Sequence, residues 1–148
     1  MNRLDANAPR ADVLLVEDSE AEARLAAEAM RETEFAVRLH VATDGVQAME
    51  FLRREGVYRD APRPRLVLLD LNLPRKDGRE VLRDMKEDVE LRQIPVVVLT
   101  TSQDRTDIHG AYELYANCYV QKPLELDGLI ETVRCIHRYW LLTAELPG

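Results

Sequence analysis

Long hydrophobic runs are missing from this chain. No uninterrupted apolar stretch exceeds four residues, far short of the roughly eighteen that a membrane-spanning helix needs. Cysteine is scarce as well. Cys118 and Cys135 are the only two, too few for a disulfide framework, and their spacing matches no metal or redox motif. Basic charge is in deficit, with 20 Lys and Arg against 27 Asp and Glu for a net charge of −7. That balance disfavours non-specific binding to nucleic acid or an anionic membrane surface. The opening residues, MNRLDANAPRAD, lack the apolar core of a signal peptide. A chain of 148 residues, 46% hydrophobic and 32% charged, is long enough for one well-filled core and too short for two comfortable domains. A single soluble domain in a reduced, cytoplasmic compartment is expected, with no nucleic-acid or membrane partner.

What the chain does have is short apolar runs, each followed by a polar cluster: VLLV (13–16), LVLL (66–69) and VVVL (96–99). The segment VRLHV (37–41) alternates with period two and suits a strand nearer a sheet edge, and CYV (118–120) is a shorter fifth candidate. Helical patterns fill the gaps. Ser19, with Glu22 three residues on, has capping-box spacing for a helix running to about Met30. Asp44-Gly45 precedes a second helix carrying Val46, Met49 and Leu52, and Asp77-Gly78 a third carrying Val81, Leu82 and Met85. Ile108, Ala111, Leu114 and Tyr115 outline a fourth, and Leu129 to Trp140 a longer fifth. Apolar strands alternating with helices imply a parallel sheet covered on both faces and joined by right-handed crossovers. The irregular stretch EGVYRDAPRPR (55–65) reads as a solvated loop, with a partner contact as the alternative.

A strand buried on both faces has no obvious use for a charge, yet LVLL runs straight into Asp70. In open α/β sheets, however, ligands bind at the carboxyl ends of the strands, which is where Asp70 falls. The first strand ends in the same way, at Glu17 and Asp18. If strands one and three are neighbours, three carboxylates converge, and their repulsion calls for protonation or a cation. All-oxygen ligands of this kind suit Mg²⁺, which keeps waters free for a phosphate-bearing partner. Strand four ends in Thr100, Thr101 and Ser102, and strand five leads through Tyr119 to Lys122-Pro123. Carboxylate, metal, hydroxyl and ammonium together are the groups needed to accept and hold a phosphoryl group.

The set Glu17-Asp18, Asp70 within LLDLNLPRKDG, Thr100 after VVVL, and Lys122 in YVQKP resembles the receiver domains of two-component response regulators. Asp70 to Thr100 spans 30 residues and Thr100 to Lys122 a further 22, as in that family. The resemblance covers about residues 12–140. It implies a doubly wound (βα)5 flavodoxin-like sandwich, a five-stranded parallel sheet of order 2-1-3-4-5 with helices on both faces. The domain would span 12–142, after a flexible segment 1–11 and before a tail 143–148, with no separate output domain. Asp70 would accept a phosphoryl group from a sensor histidine kinase. Asp18 and Asp70 would hold Mg²⁺ directly, Glu17 through water and Asn72 through its backbone carbonyl. Thr100 and Lys122 would contact the phosphoryl group, and Tyr119 would follow Thr100, changing the face formed by the fourth helix, fifth strand and fifth helix. The family usually has a cis peptide before this proline. Two positions depart from the family's habit: Thr101, where a smaller residue is usual and the bulk would slow access to the phosphoryl group, and Leu124, where Phe is usual.

A narrower resemblance runs through EGVYRDAPRPR, LLDLNLPRKDGREVL, PVVVLTTS, NCYVQKP and RYWLLTAELPG. These look like single-domain response regulators that partner bacterial and cyanobacterial phytochromes, which implies a light-dependent kinase. With no output domain expected, the signal would leave by contact with a downstream protein. Tyr139, Trp140 and Leu141 extend the last helix beyond its core pattern and are candidate contacts of a homodimer. Alternatively, Trp140 seals the core. Such a protein is not an enzyme in the usual sense, since it catalyses only its own phosphotransfer and dephosphorylation. Two other readings compete. A Mg²⁺-dependent phosphohydrolase with an aspartyl nucleophile would usually carry a second acid where this chain has Asn72. A receiver that binds partners without phosphorylation would not need every key position filled.

Overall fold

A computed structural model describes residues 11–31, 37–100, 118–121, 123 and 125–143; the side chains of Thr100, Tyr119, Leu126, His137 and residues 141–143 lie outside the description. Five strands, β1 (Ala11–Val16), β2 (Val37–Ala42), β3 (Leu66–Leu69), β4 (Val96–Thr100) and β5 (Cys118–Gln121), form one sheet of order β2-β1-β3-β4-β5. Every neighbouring pair is parallel. Between them run α1 (Glu20–Arg31), α2 (Gly45–Arg53) and α3 (Gly78–Glu87), and after β5 a C-terminal helix, Leu126–His137, continues into a π-helical turn over Arg138–Thr143. The expected order 2-1-3-4-5 is the order observed. The expected fourth helix and the peptide before Pro123 lie outside the described residues.

The pleat explains why the apolar runs are continuous. Successive side chains of a strand point to opposite faces, so Leu14, Val16, Val67 and Leu69 join one apolar cluster with Met49, Leu82 and Met85. Val13, Leu15, Leu66 and Leu68 join the other, with Ala29, Met30, Val133 and Ile136. One cluster is built with α2 and α3, the other with α1 and the C-terminal helix. Burying each large side chain contributes about 1.5–3 kcal/mol, so both layers must be present for β1 and β3 to be stable. β2 lies at the sheet edge, as its alternation suggests. There Val37 and Leu39 lean on the second cluster, while His40 Nε2 lies 2.9 Å from Asp12 Oδ1 on β1.

Helix starts fall where polar caps stand. Ser19 Oγ accepts the Glu22 N–H at 3.2 Å, Asp44 Oδ1 accepts the Gln47 N–H at 2.7 Å, and Asp77 Oδ1 accepts the Arg79 N–H at 2.8 Å. Each satisfies a donor that the helix leaves orphaned. The α1 cap departs from a simple capping box. The Ser19 N–H donates to Glu17 Oε1 at 3.0 Å, so a strand-end acid takes the donor that a box would give to Glu22. The stretch 55–65 is mostly exposed, as a solvated loop would be, but it has local structure. It contains a 3₁₀ turn, Gly56–Tyr58, and Tyr58 meets Phe51 edge-on with ring centroids 5.5 Å apart.

A carboxylate cluster at the carboxyl end of the sheet

Glu17, Asp18 and Asp70 each offer a carboxylate oxygen, and these oxygens all lie within 4.8 Å of one another. The sheet brings them together. The Asp70 N–H donates to Val16 O at 3.1 Å and the Glu17 N–H to Ala42 O at 2.9 Å, so both acids extend ladders already set by the buried strands. Glu17 and Asp70 are buried, at 2% and 9% exposure, whereas Asp18 is exposed. Glu17 is held from behind by Ser19, and the Asn72 N–H donates to Asp70 Oδ1 at 3.1 Å, fixing the plane of that carboxylate. The cluster also sits at the N-terminus of α1, where the helix dipole favours negative charge. Three carboxylates so close repel, and hard oxygen donors gathered in this way fit a divalent cation. Among the described residues no other group of three potential metal ligands is gathered so closely.

The loop after Asp70 is pinned by two glycines. A Cβ on Gly78, the first residue of α3, would lie 2.3 Å from Asp70 O and 2.7 Å from Leu71 Cα; one on Gly45, opening α2, would lie 2.0 Å from Lys76 O. Both contacts are with backbone, which cannot swing aside. Arg75 in the same loop takes a left-handed conformation, φ 65°, and donates from its guanidinium to Asp44 Oδ2 at 3.2 Å. Lys76 Nζ meets Asp84 Oδ2 at 2.5 Å.

Of the remaining expected site residues, Thr100 ends β4 in register with Gln121, and Tyr119 lies opposite Val98. This puts Thr100 at the same carboxyl end of the sheet as the acids. Lys122, Thr101, Ser102 and Leu124 lie outside the described residues. Tyr139 is 56% exposed, and its ring meets that of Trp140 edge-on at 5.0 Å. Trp140 itself packs, partly buried, against the cluster formed with α1, as the core-sealing alternative for it requires. No described helix is long and apolar enough to cross a membrane. A separate polar cleft of about 580 Å³, lined in part by Arg53, Arg54, Arg63 and Asp88, lies by the C-terminal ends of α2 and α3 and shares no residue with the cluster.

A parallel 2-1-3-4-5 sheet with acids at the carboxyl ends of β1 and β3 is the architecture of a response regulator receiver, and residues 13–134 match the family described as "Response regulator receiver domain". The chain belongs to that family. It is 47% identical to the response regulator Rcp1 of Synechocystis sp. over 144 residues, covering 97% of each chain. The phosphorylated cyanobacterial phytochrome response regulator RcpA superposes with a TM-score of 0.90 at 46% identity, covering 95% of this chain and 100% of that one. The Mn²⁺-bound form of Rcp1 gives a TM-score of 0.87 at 47% identity, with the same coverage. This chain is thus a receiver protein homologous to phytochrome response regulators, and a phosphoacceptor role fits its family. Its carboxylate cluster is of the divalent-metal kind.

Proposed function

We propose that Asp70 is the phosphoacceptor of a Mg²⁺-dependent receiver whose donor is the phosphohistidine of a sensor kinase, a phytochrome by analogy with RcpA. The observation that carries this reading is the convergence of Glu17, Asp18 and Asp70 within 4.8 Å at the ends of neighbouring buried strands. In the transfer, a carboxylate oxygen of Asp70 forms a bond to phosphorus while the P–N bond of phosphohistidine breaks. The freed imidazole nitrogen takes a proton from solvent. Hydrolysis of the acyl phosphate then restores Asp70 and releases inorganic phosphate.

Asp18 and Asp70 would hold the cation directly and Asn72 through its backbone carbonyl. Glu17 would act through water, a role that suits a carboxylate already accepting the Ser19 N–H. Bound there, Mg²⁺ would offset charge on the phosphoryl oxygens. Asp70 is placed by two strands, and the Asn72 N–H aims its carboxylate, so the nucleophile needs little reorganisation. Thr100 and Lys122 would hold the phosphoryl group, and Tyr119 would carry the change to the outer face. That output would pass to a downstream protein or through a homodimer in which exposed Tyr139 takes part with Trp140 and Leu141. The domain would span 12–142, in the cytoplasm. Intact mass after incubation with acetyl phosphate and Mg²⁺ tests the core of this reading. One phosphoryl adduct is expected on the wild type and none on a folded Asp70→Asn variant; equal labelling of both would refute it.

A further inference from the structure

The end of β2 and the turn that follows it contact both Glu17 and the loop after Asp70, although they contribute no ligand to the carboxylate cluster. On one side Ala42 O accepts the Glu17 N–H at 2.9 Å. On the other, Gly45 lies so close to Lys76 that a Cβ there would sit 2.0 Å from the Lys76 carbonyl oxygen. Between them stands Asp44, a buried carboxylate at 8% exposure. Its two oxygens are divided: Oδ1 caps α2 through the Gln47 N–H at 2.7 Å, and Oδ2 accepts from the Arg75 guanidinium at 3.2 Å. Arg75 holds φ 65°, a region that an L residue with a Cβ enters only at an energetic cost. It lies three residues after Asn72, in the loop that must present the Asn72 carbonyl and the Asp70 carboxylate together.

We infer that the Asp44–Arg75 ion pair is a positioning clamp for the cation site, reaching over the end of β1 to hold the Asp70–Asp77 loop at the distance the cation requires. The inference rests on the metal-site reading above. A left-handed arginine is unfavourable locally and persists where surrounding contacts over-determine it. Here the contacts are a buried carboxylate oxygen, Asp44 Oδ2, that would otherwise lose the Arg75 guanidinium, and a glycine that admits the Lys76 backbone. Partners that orient metal ligands typically change affinity ten- to a hundredfold when removed.

Arg75→Gly separates positioning from its rivals. Glycine accepts φ 65° without strain but gives up the ion pair to Asp44, so a purely structural role predicts a change in stability with unchanged cation affinity. Loss of a positive charge from the rim of three carboxylates predicts tighter cation binding. A positioning role alone predicts weaker binding. The experiment is calorimetric titration of Mn²⁺ alone into wild type, Arg75→Gly, Asp44→Asn and the double variant, with a thermal melt of each. Asn at position 44 keeps a good cap while abolishing the ion pair. We expect both single variants to bind Mn²⁺ about tenfold more weakly, the double variant to bind no more weakly than the weaker single, and every variant to be folded at the temperature of the titration. Wild-type or tighter affinity in Arg75→Gly, or additive losses in the double variant, would overturn the clamp. If the wild type binds no Mn²⁺, the metal-site reading fails, and the clamp with it.

Discussion

Gly78→Ala is the substitution whose consequence the structure fixes most sharply. The added Cβ would lie 2.3 Å from the Asp70 carbonyl oxygen, 2.7 Å from Leu71 Cα and 3.0 Å from Leu71 O. Ordinary contact needs about 1 Å more against the first of these, so the start of α3 must back away from the strand end. The Gly78 N–H bond to Leu71 O, now 3.0 Å, stretches as it does so. Overpacking of this order costs about 1–3 kcal/mol. Exchanging Gly for Ala in a helix returns up to about 1 kcal/mol, less at a first turn. The net loss is about 2 kcal/mol, or about 4–8 °C in melting temperature for a chain of this size. Gly56→Ala is the control. Its φ is 58° with nothing within 4 Å of the new Cβ, so it carries only the left-handed penalty of about 1 kcal/mol. Thermal and urea melts of both variants, followed by circular dichroism, decide the matter. If Gly78→Ala melts no lower than Gly56→Ala, close approach of α3 to Asp70 is not what glycine provides there.

Removing the α1 cap with Ser19→Ala should cost about 1 kcal/mol, read as a drop of about 2–4 °C; an unchanged melt would mean that the Glu22 N–H finds another acceptor. Burial pushes the Lys86 ammonium below the ordinary lysine range. The native state therefore binds that proton less tightly than the unfolded chain, and stability rises with pH between the native and unfolded values. Below the native value the cost of keeping Lys86 charged is fully present, so Lys86→Met should raise the melting temperature there and flatten the alkaline rise; a lower melt would contradict it. Lys122→Ala should uncouple phosphoryl acceptance from any change in oligomeric state on size exclusion. A normal response would remove the role proposed for that lysine.

The sheet was legible in the sequence because its signal is local. VLLV, LVLL and VVVL each lie within a strand of the observed fold, since a strand buried on both faces must be apolar at every position. The helix starts were legible for the same reason, with Ser19, Asp44 and Asp77 each capping through its own side chain. The acids stood out by contrast with the runs they end. What the sequence hid depends on contacts between distant segments. Nothing about Arg75 marks it as left-handed, and its partner Asp44 lies 31 residues away. Asp44-Gly45 read simply as the lead-in to the second helix, although Gly45 is needed because Lys76 passes across it. Glu17 taking the Ser19 N–H is a local contact, two residues apart, and was hidden for another reason: the capping-box spacing offered Glu22 as the natural partner.

The identity of the phosphorylated residue can be read chemically. Protein incubated with acetyl phosphate and Mg²⁺ is reduced with borohydride, which converts an aspartyl phosphate to homoserine, then digested and sequenced by tandem mass spectrometry. Homoserine at position 70 alone is the expected result. Homoserine at position 18, or a stable phosphate on a serine or threonine with position 70 unaltered, would contradict the assignment of Asp70 as the phosphoacceptor.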